Sequence, residues 1–312
     1  MILNPIFRSI IKKSLHFRGD GWPSAPYYFP WTWENLECEP FSFFSGKWRI
    51  NGLRYWKKGN TKPKATIAFY HGIGAGHYAY VNLINLLAQA GYLVYAYDNQ
   101  GSGFSEGTAI DSLSVSVVNQ KDFYAFLDQD PKAKGLPRYA CGHSWGGFTA
   151  LCALQPEYGV SKVCSISGFD SVANILCDLN KSAAKFKKTL LSVQKHDFGE
   201  LGLLSGLELM KKTDAKVLYI QGDKDTLVPY QTNGKVFQKE LKDKPNIRFL
   251  IRKGWGHNPY WDRKTEEYEI KLNDPKDGMG SFNRSPNLRF RDELLRSVDP
   301  IVAKAIVDFF RS

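Results

Sequence analysis

Residues 138–154 read RYACGHSWGGFTALCAL. Positions 138–142 suit a short strand, and 145–154 suit a helix. Between them lies Gly142-His143-Ser144-Trp145-Gly146, a G-x-S-x-G motif at a strand-to-helix turn. In that setting the motif forms a sharp elbow with Ser144 at its tip and its hydroxyl exposed. The flanking glycines let neighbouring backbone approach closely. The next helix directs the partial positive charge of its N-terminus at the site. Without those flanking elements, the same five residues would be a glycine-rich turn holding an incidental serine.

A serine hydroxyl is a weak nucleophile and needs a base. Six histidines are available: His16, His71, His77, His143, His196 and His257. His257 follows a strand over 247–251, in the turn Gly254-Trp255-Gly256-His257, and so falls at the sheet edge that holds Ser144. His71 and His143 lie inside glycine motifs, where backbone roles are expected. His196 lies in a helical insertion and His16 in an N-terminal segment. The base needs an acid to hold its tautomer and stabilise its charged form. Asp225, after a strand over 217–221, fills the chain order nucleophile, acid, histidine. Asp223, two residues away, and Asp170, after a strand over 162–167, are its rivals. The developing oxyanion needs backbone donors. The N–H of Trp145, next to the nucleophile, supplies one. The N–H of Ile73 supplies the other, from the loop His71-Gly72-Ile73-Gly74-Ala75-Gly76 after a strand over 65–70. That loop lacks the Lys-Ser/Thr ending of a P-loop and does not fit G-x-G-x-x-G, so nucleotide binding is rejected.

Working outward, short apolar runs alternate with helical patterns. Strands are expected at 41–44, 48–56, 65–70, 92–97, 138–142, 162–167, 217–221 and 247–251. Helices are expected at 80–90, 112–129, 145–154, 233–241 and 300–310. This alternation predicts an α/β protein with a mostly parallel central sheet covered by helices on both faces. Residues 168–213 interrupt it with a mostly helical insertion, expected over the carboxyl edge of the sheet, where ligands of open α/β folds bind. Residues 258–297 are polar and read as a long surface excursion. The expected organisation is an N-terminal extension (1–40), a core (41–167 and 214–312) and a helical cap (168–213). There is no internal repeat.

The set His71-Gly72, Asp98-x-x-Gly101-x-Gly103-x-Ser105, Gly142-x-Ser144-x-Gly146, Gly222-x-x-Asp225-x-x-Val228-Pro229 and Gly256-His257 resembles the α/β-hydrolase superfamily. Within it the chain looks like the monoacylglycerol lipase and lysophospholipase-like serine hydrolases. The resemblance spans 41–260 and the last helix. It implies the α/β-hydrolase fold, a helical cap between the sixth and seventh core strands, and hydrolysis of a carboxylic ester by Ser144, Asp225 and His257 through an acyl-enzyme. It implies no cofactor and no metal. Two positions depart from the family pattern: Gln100 stands where arginine is common, and Trp145 where methionine is common. Gly-x-Ser-Trp-Gly is also similar to proline-iminopeptidase-like enzymes, which leaves amide or peptide cleavage as an alternative. A noncatalytic, ligand-binding member of the fold is a third reading.

Composition sets the outer limits. The 312 residues are 43% hydrophobic and 23% charged, which excludes a disordered chain, a collagen-like repeat and a coiled coil. Five cysteines, odd in number and never spaced C-x-x-C, argue against a disulfide scaffold or structural zinc. Reduced thiols in a cytoplasmic protein are expected. The net charge is +11, and residues 1–64 alone carry eleven Lys and Arg against four acids, with five of the eight tryptophans. No nucleic-acid motif accompanies that charge, so no nucleic-acid partner is expected; the partner is a small-molecule ester. In residues 1–15, Ile2, Leu3, Ile6, Phe7, Ile10, Ile11 and Leu15 recur at helical spacing with Arg8, Lys12 and Lys13 between them. This amphipathic segment either lies on an anionic membrane surface, as a peripheral contact, or docks on the protein itself. It is not a convincing signal peptide, because the basic residues follow the apolar ones and no small-residue cleavage site is evident.

Overall fold

The computed structural model describes residues 9, 13, 15–20, 29–74, 76–272 and 297–312. Among them, one sheet contains β1 (Leu36–Ser45), β2 (Trp48–Lys57), β3 (Thr66–Tyr70), β4 (Leu93–Tyr97), β5 (Arg138–His143), β6 (Val160–Ile166), β7 (Lys216–Gly222) and β8 (Ile247–Arg252). Their spatial order is β1-β2-β4-β3-β5-β6-β7-β8. The β1–β2 hairpin closes with Ser45 opposite Trp48, and Gly46 between them takes the left-handed φ of +57° that such a tight turn needs. β2 runs antiparallel to β4, and every later pairing is parallel. The chain therefore leaves β3, β5, β6, β7 and β8 at one common edge.

The central strands show why the sheet is covered twice. Every residue of β3 (TIAFY) and β4 (LVYAY) is buried. Continuous apolar runs of this kind belong to strands with both faces packed. Ile67, Phe69, Val94 and Ala96 face one core with α1 (Val81–Gln89) and the last helix, α9 (Pro300–Arg311). Ala68, Tyr70, Tyr95 and Tyr97 face the other, with α2 (Val115–Gln129) and α3 (Trp145–Cys152). From α9, Val302, Ile306, Phe309 and Phe310 are buried; each such side chain stabilises the fold by about 1.5–3 kcal/mol.

A third apolar cluster sits at the carboxyl edge. Ile110, Leu113, Trp145, Phe148, Phe169, Val172, Ile175 and Val228 form it, and Ile73 packs against it. Between β6 and β7 the chain forms α4 (Val172–Leu179), α5 (Lys187–Phe198) and α6 (Gly206–Lys212), with short 3-10 turns between them. Asp170 anchors this insertion at both ends: its carboxylate accepts from Asn174 Nδ2 at 2.6 Å, Ser205 Oγ at 2.5 Å and Leu207 N at 3.1 Å. Farther along, Ser114 Oγ donates to the buried Gln194 of α5 at 2.6 Å. Downstream lie α7 (Gly234–Glu240) and α8 (Arg263–Leu272).

The structure departs from the sequence reading in two places. Residues 36–40, read as part of the extension, are the first half of β1, with Pro40 opposite Leu53. An edge strand tolerates the proline and the acids that disguise it. The excursion 258–297 is not all surface, since α8 lies within it and Tyr260, Trp261 and Tyr268 pack into the main core. The N-terminal amphipathic segment falls almost wholly outside the described residues. The stretch just after it is tied down: Gly19 N donates to Gly101 O, Ile110 N to Phe17 O and Asp111 N to Leu15 O, and Leu15 packs against the third cluster. Among the described residues, no helix is long and apolar enough to cross a membrane.

Candidate active site

Ser144 stands at the end of β5, half-buried, with φ +59° and ψ −118°. Such backbone costs about 1–3 kcal/mol and persists only where the surroundings fix it. Here Ser144 N donates to Ile166 O of β6 at 2.8 Å, and Phe148 N of α3 donates to Ser144 O at 3.0 Å. The flanking glycines are required by space. A Cβ on Gly142 would lie 2.2 Å from Gly146 O, and one on Gly146 would lie 2.0 Å from Tyr70 O. The loop after β3 packs beside the elbow: a Cβ on Gly72 would lie 2.4 Å from Tyr80 Oη and 3.4 Å from Ser144 Cβ.

His257 Nε2 lies 2.8 Å from Ser144 Oγ, and its Nδ1 lies 2.9 and 3.0 Å from the two carboxylate oxygens of Asp225. The carboxylate accepts, so Nδ1 carries the proton and Nε2 accepts from the serine hydroxyl. The Asp225 side chain is fully buried, whereas the His257 side chain retains 14% exposure, open enough to exchange a proton. Asp225 Oδ1 also accepts from Leu227 N at 3.0 Å and Val228 N at 2.9 Å. These bonds fix the carboxylate's orientation and compensate its burial.

The rival acids lie elsewhere. Asp170 anchors the insertion. Asp223 Oδ1 accepts from Gly254 N at 2.6 Å, so it ties the loop after β7 to the loop after β8. That bond reaches across 31 residues.

Sequence reasoning gave His71 and His143 backbone roles only, yet both use their rings. Gly72 N donates to Tyr80 Oη at 3.1 Å, and Tyr80 Oη lies 3.0 Å from His143 Nδ1. His143 Nε2 lies 2.9 Å from the His257 carbonyl, which also accepts from Ser167 Oγ at 2.9 Å. A carbonyl can only accept, so His143 is protonated on Nε2 and takes the Tyr80 hydroxyl proton on Nδ1. Burial, with His257 nearby, holds the His143 imidazole well below its ordinary pKa and therefore neutral. One chain of bonds thus links the glycine loop, the elbow and the backbone of His257. The available signal was a histidine at the end of a buried strand, where a polar side chain must find partners.

The motif beginning at Asp98 secures the glycine loop from below. The buried Asp98 carboxylate accepts from His77 N at 2.7 Å, His77 Nδ1 at 2.7 Å and Phe104 N at 2.9 Å. Burial alone would raise its pKa; His77 above all, with His71 and the Phe104 N–H, reverses that and holds it low. Gly103, at φ +48°, is obligatory, because a Cβ there would lie 2.2 Å from Asp98 Oδ2. His71 Nε2 accepts from Asn99 N at 2.9 Å, and its Nδ1–H donates to Gly72 O at 2.7 Å. Ile73, half-buried, follows Gly72 in this loop. Trp145 begins α3; its indole is buried and donates to Leu113 O at 2.7 Å. Among the described residues, no group of three His, Cys, Asp or Glu stands close enough to hold a metal ion.

A comparison of the fold with solved structures finds an esterase of Pyrococcus furiosus, at TM-score 0.61 and 18% identity, covering 83% of this chain and 97% of that one. Est1E of Butyrivibrio proteoclasticus, solved with ferulic acid bound, matches at TM-score 0.57 and 14% identity over 87% of this chain and all of its own. The fold is that of the α/β hydrolases. Within this α/β-hydrolase fold, residues 61–198 match the family model described as serine aminopeptidase, S33. The human monoglyceride lipase is 38% identical over 135 residues, which are 43% of this chain and 42% of that protein. The mouse monoglyceride lipase is 35% identical over 108 residues, 34% of this chain and 35% of its own length. The matched part of the chain thus spans well under half the length of these relatives. The family-model match holds Ser144, Trp145 and Ile73; Asp225 and His257 lie beyond it.

Proposed function

We propose that this chain is a serine hydrolase that cleaves carboxylic esters through an acyl-enzyme. The observation that carries the reading is the 2.8 Å contact between His257 Nε2 and Ser144 Oγ, with Nδ1 of the same ring on the buried Asp225 carboxylate. Ser144 Oγ attacks the ester carbonyl while His257 takes its proton, and Asp225 stabilises the imidazolium. The N–H groups of Ile73 and Trp145 receive the oxyanion. His257 then protonates the departing alcohol. A water molecule, deprotonated by His257, attacks the acyl-enzyme and releases the acid. The apolar cluster around Trp145, which the helical insertion shares through Val172 and Ile175, supplies an apolar neighbourhood for the acyl chain. Support for an ester comes from the monoglyceride lipases and the esterase among the similar proteins.

The test is a panel of p-nitrophenyl esters from acetate to palmitate, run beside monoacylglycerols and lysophospholipids, with fluorophosphonate labelling. Turnover of esters and covalent labelling are expected, and Ser144→Ala abolishes the labelling and lowers kcat by orders of magnitude. Near-wild-type turnover by folded Ser144→Ala would reject the mechanism. The family model named for serine aminopeptidases favours amide cleavage as the second reading. Aminoacyl p-nitroanilides turned over faster than any ester would establish it. A chain that turns over neither and is not labelled is a noncatalytic binder.

The proposal extends to the cell. The five thiols are free, which suits the reducing cytoplasm. Residues 1–15 contact an anionic lipid surface through Arg8, Lys12 and Lys13. Co-sedimentation with anionic vesicles is expected at low salt and is lost at high salt as charges are screened. A chain lacking residues 1–15 loses that binding and keeps its turnover of a soluble short-chain ester. Full-length protein that ignores vesicles at low salt refutes the contact.

A further inference from the structure

The loop carrying His257 is held from outside by a helix with no part in the mechanism above. Gly256 N, one residue before the histidine, donates to Glu266 Oε1 of α8 at 2.6 Å. Glu266 is buried, and its other oxygen pairs with Arg263 Nη1 at 2.9 Å. The same Arg263 nitrogen donates to Gly254 O at 3.0 Å. Between these anchors lies Trp255. The guanidinium groups of Arg252 and Arg263 lie over its ring, 4.0 and 3.9 Å from the centroid, and its Nε1 donates to Trp261 O at 3.0 Å. Tyr260, Trp261 and Tyr268 fasten this segment to the main core. The framework on which Glu266 stands is therefore rigid.

Gly256, directly before His257, has the wide backbone freedom of a glycine. A glycine directly before a base leaves the imidazole free to swing unless something fixes it. His143 and Ser167 fix the carbonyl of His257; Glu266 fixes the N–H of the residue before it. We propose that Glu266 is a positioning residue for His257, aiming the imidazole between Ser144 and Asp225 through a charge-assisted bond to Gly256 N–H. This rests on the reading of His257 as the base. It also assigns a task to α8, which lies in a segment whose sequence suggested none.

The experiment uses the full-length chain with Glu266→Ala and Glu266→Gln. Steady-state hydrolysis of p-nitrophenyl acetate and hydrogen–deuterium exchange over residues 253–258 are both measured. For Glu266→Ala, kcat falls roughly 10- to 100-fold while KM stays within about twofold, because misaimed chemistry rather than substrate binding is lost. Exchange at 253–258 quickens. The amide oxygen of Glu266→Gln still accepts from Gly256 N–H, so its kcat returns to within about threefold of wild type and its exchange slows again. If Glu266→Ala does not fold, Glu266→Asp, which withdraws the carboxylate by one methylene, carries the same expectation. An unchanged kcat, unchanged exchange, or Glu266→Gln as impaired as Glu266→Ala overturns the proposal. A wild-type chain that the fluorophosphonate does not label defeats the catalytic reading itself; a labelled wild type with unimpaired Glu266→Ala defeats only the role of Glu266.

Discussion

Asp225 and Asp223 are two residues apart and face different tasks, which makes them a clean test of side-chain role. Asp225→Asn puts an amide where the imidazole Nδ1–H needs an acceptor with charge, and favours the wrong tautomer. If Asp225 serves as the proposed acid, a loss in kcat of about 10⁴-fold is expected. Asp223→Asn keeps an oxygen for Gly254 N–H and stays within a few-fold of wild type. Steady-state kinetics on both variants decide it, and the reverse ranking would move the acid to Asp223. Tyr80→Phe removes the acceptor of Gly72 N–H and the donor to His143 together. Leaving such buried groups unsatisfied costs about 1–3 kcal/mol, readable as an earlier urea midpoint. Burial of His143, with His257 beside it, disfavours the charged imidazole and so preserves its bond from Tyr80.

Among the elements, the junction of β8 with α9 carries a buried ion pair. Arg252 and Asp299 meet through two 2.7 Å bonds, both nearly buried, and Asp299 also caps α9 through Ile301 N and Val302 N. Burial alone would raise the Asp299 carboxyl, but Arg252 and the cap N–H groups overcome it and hold the carboxyl below its ordinary value. A carboxylate lowered on folding contributes stability that is complete above its unfolded pKa of about 3.9 and is lost as pH falls through the folded value. Asp299→Asn therefore destabilises by about 3–5 kcal/mol at neutral pH, because it strands Arg252, and the deficit narrows below about pH 4. Thermal melts of both proteins at pH 7 and pH 3 check the sign. The elements most legible in the sequence were those with one dominant signal: the apolar runs of β3 and β4, the strand-elbow-helix at 138–154, the Pro300 start of α9. The first half of β1 was obscured by Glu37, Glu39 and Pro40, residues that an edge position permits. α8 was missed because its own sequence, RKTEEYEIKL, is mostly polar. The apolar anchors precede it at Tyr260 and Trp261.

At the scale of the whole molecule, the candidate site was legible where residues announce themselves by local context, and illegible where their meaning comes from partners far along the chain. Ser144 sits in a motif; His257 was found by its place after a strand. His143, Glu266 and Asp223 act on chain 114, 10 and 31 residues away, and no local pattern encodes such pairings. The same long reach has a consequence during synthesis. A ribosome releases Ser144 113 residues before His257, and β8, which leads into the His257 loop, is secured to α9 by the pairing of Arg252 with Asp299, 47 residues on. Domains fold as units during synthesis, and contacts of such separation form late. The nascent chain thus carries Ser144 without His257 over that stretch of synthesis. A stalled chain ending near residue 198 should be inert to fluorophosphonate even with the elbow complete, and labelling should begin only when the last helix has emerged.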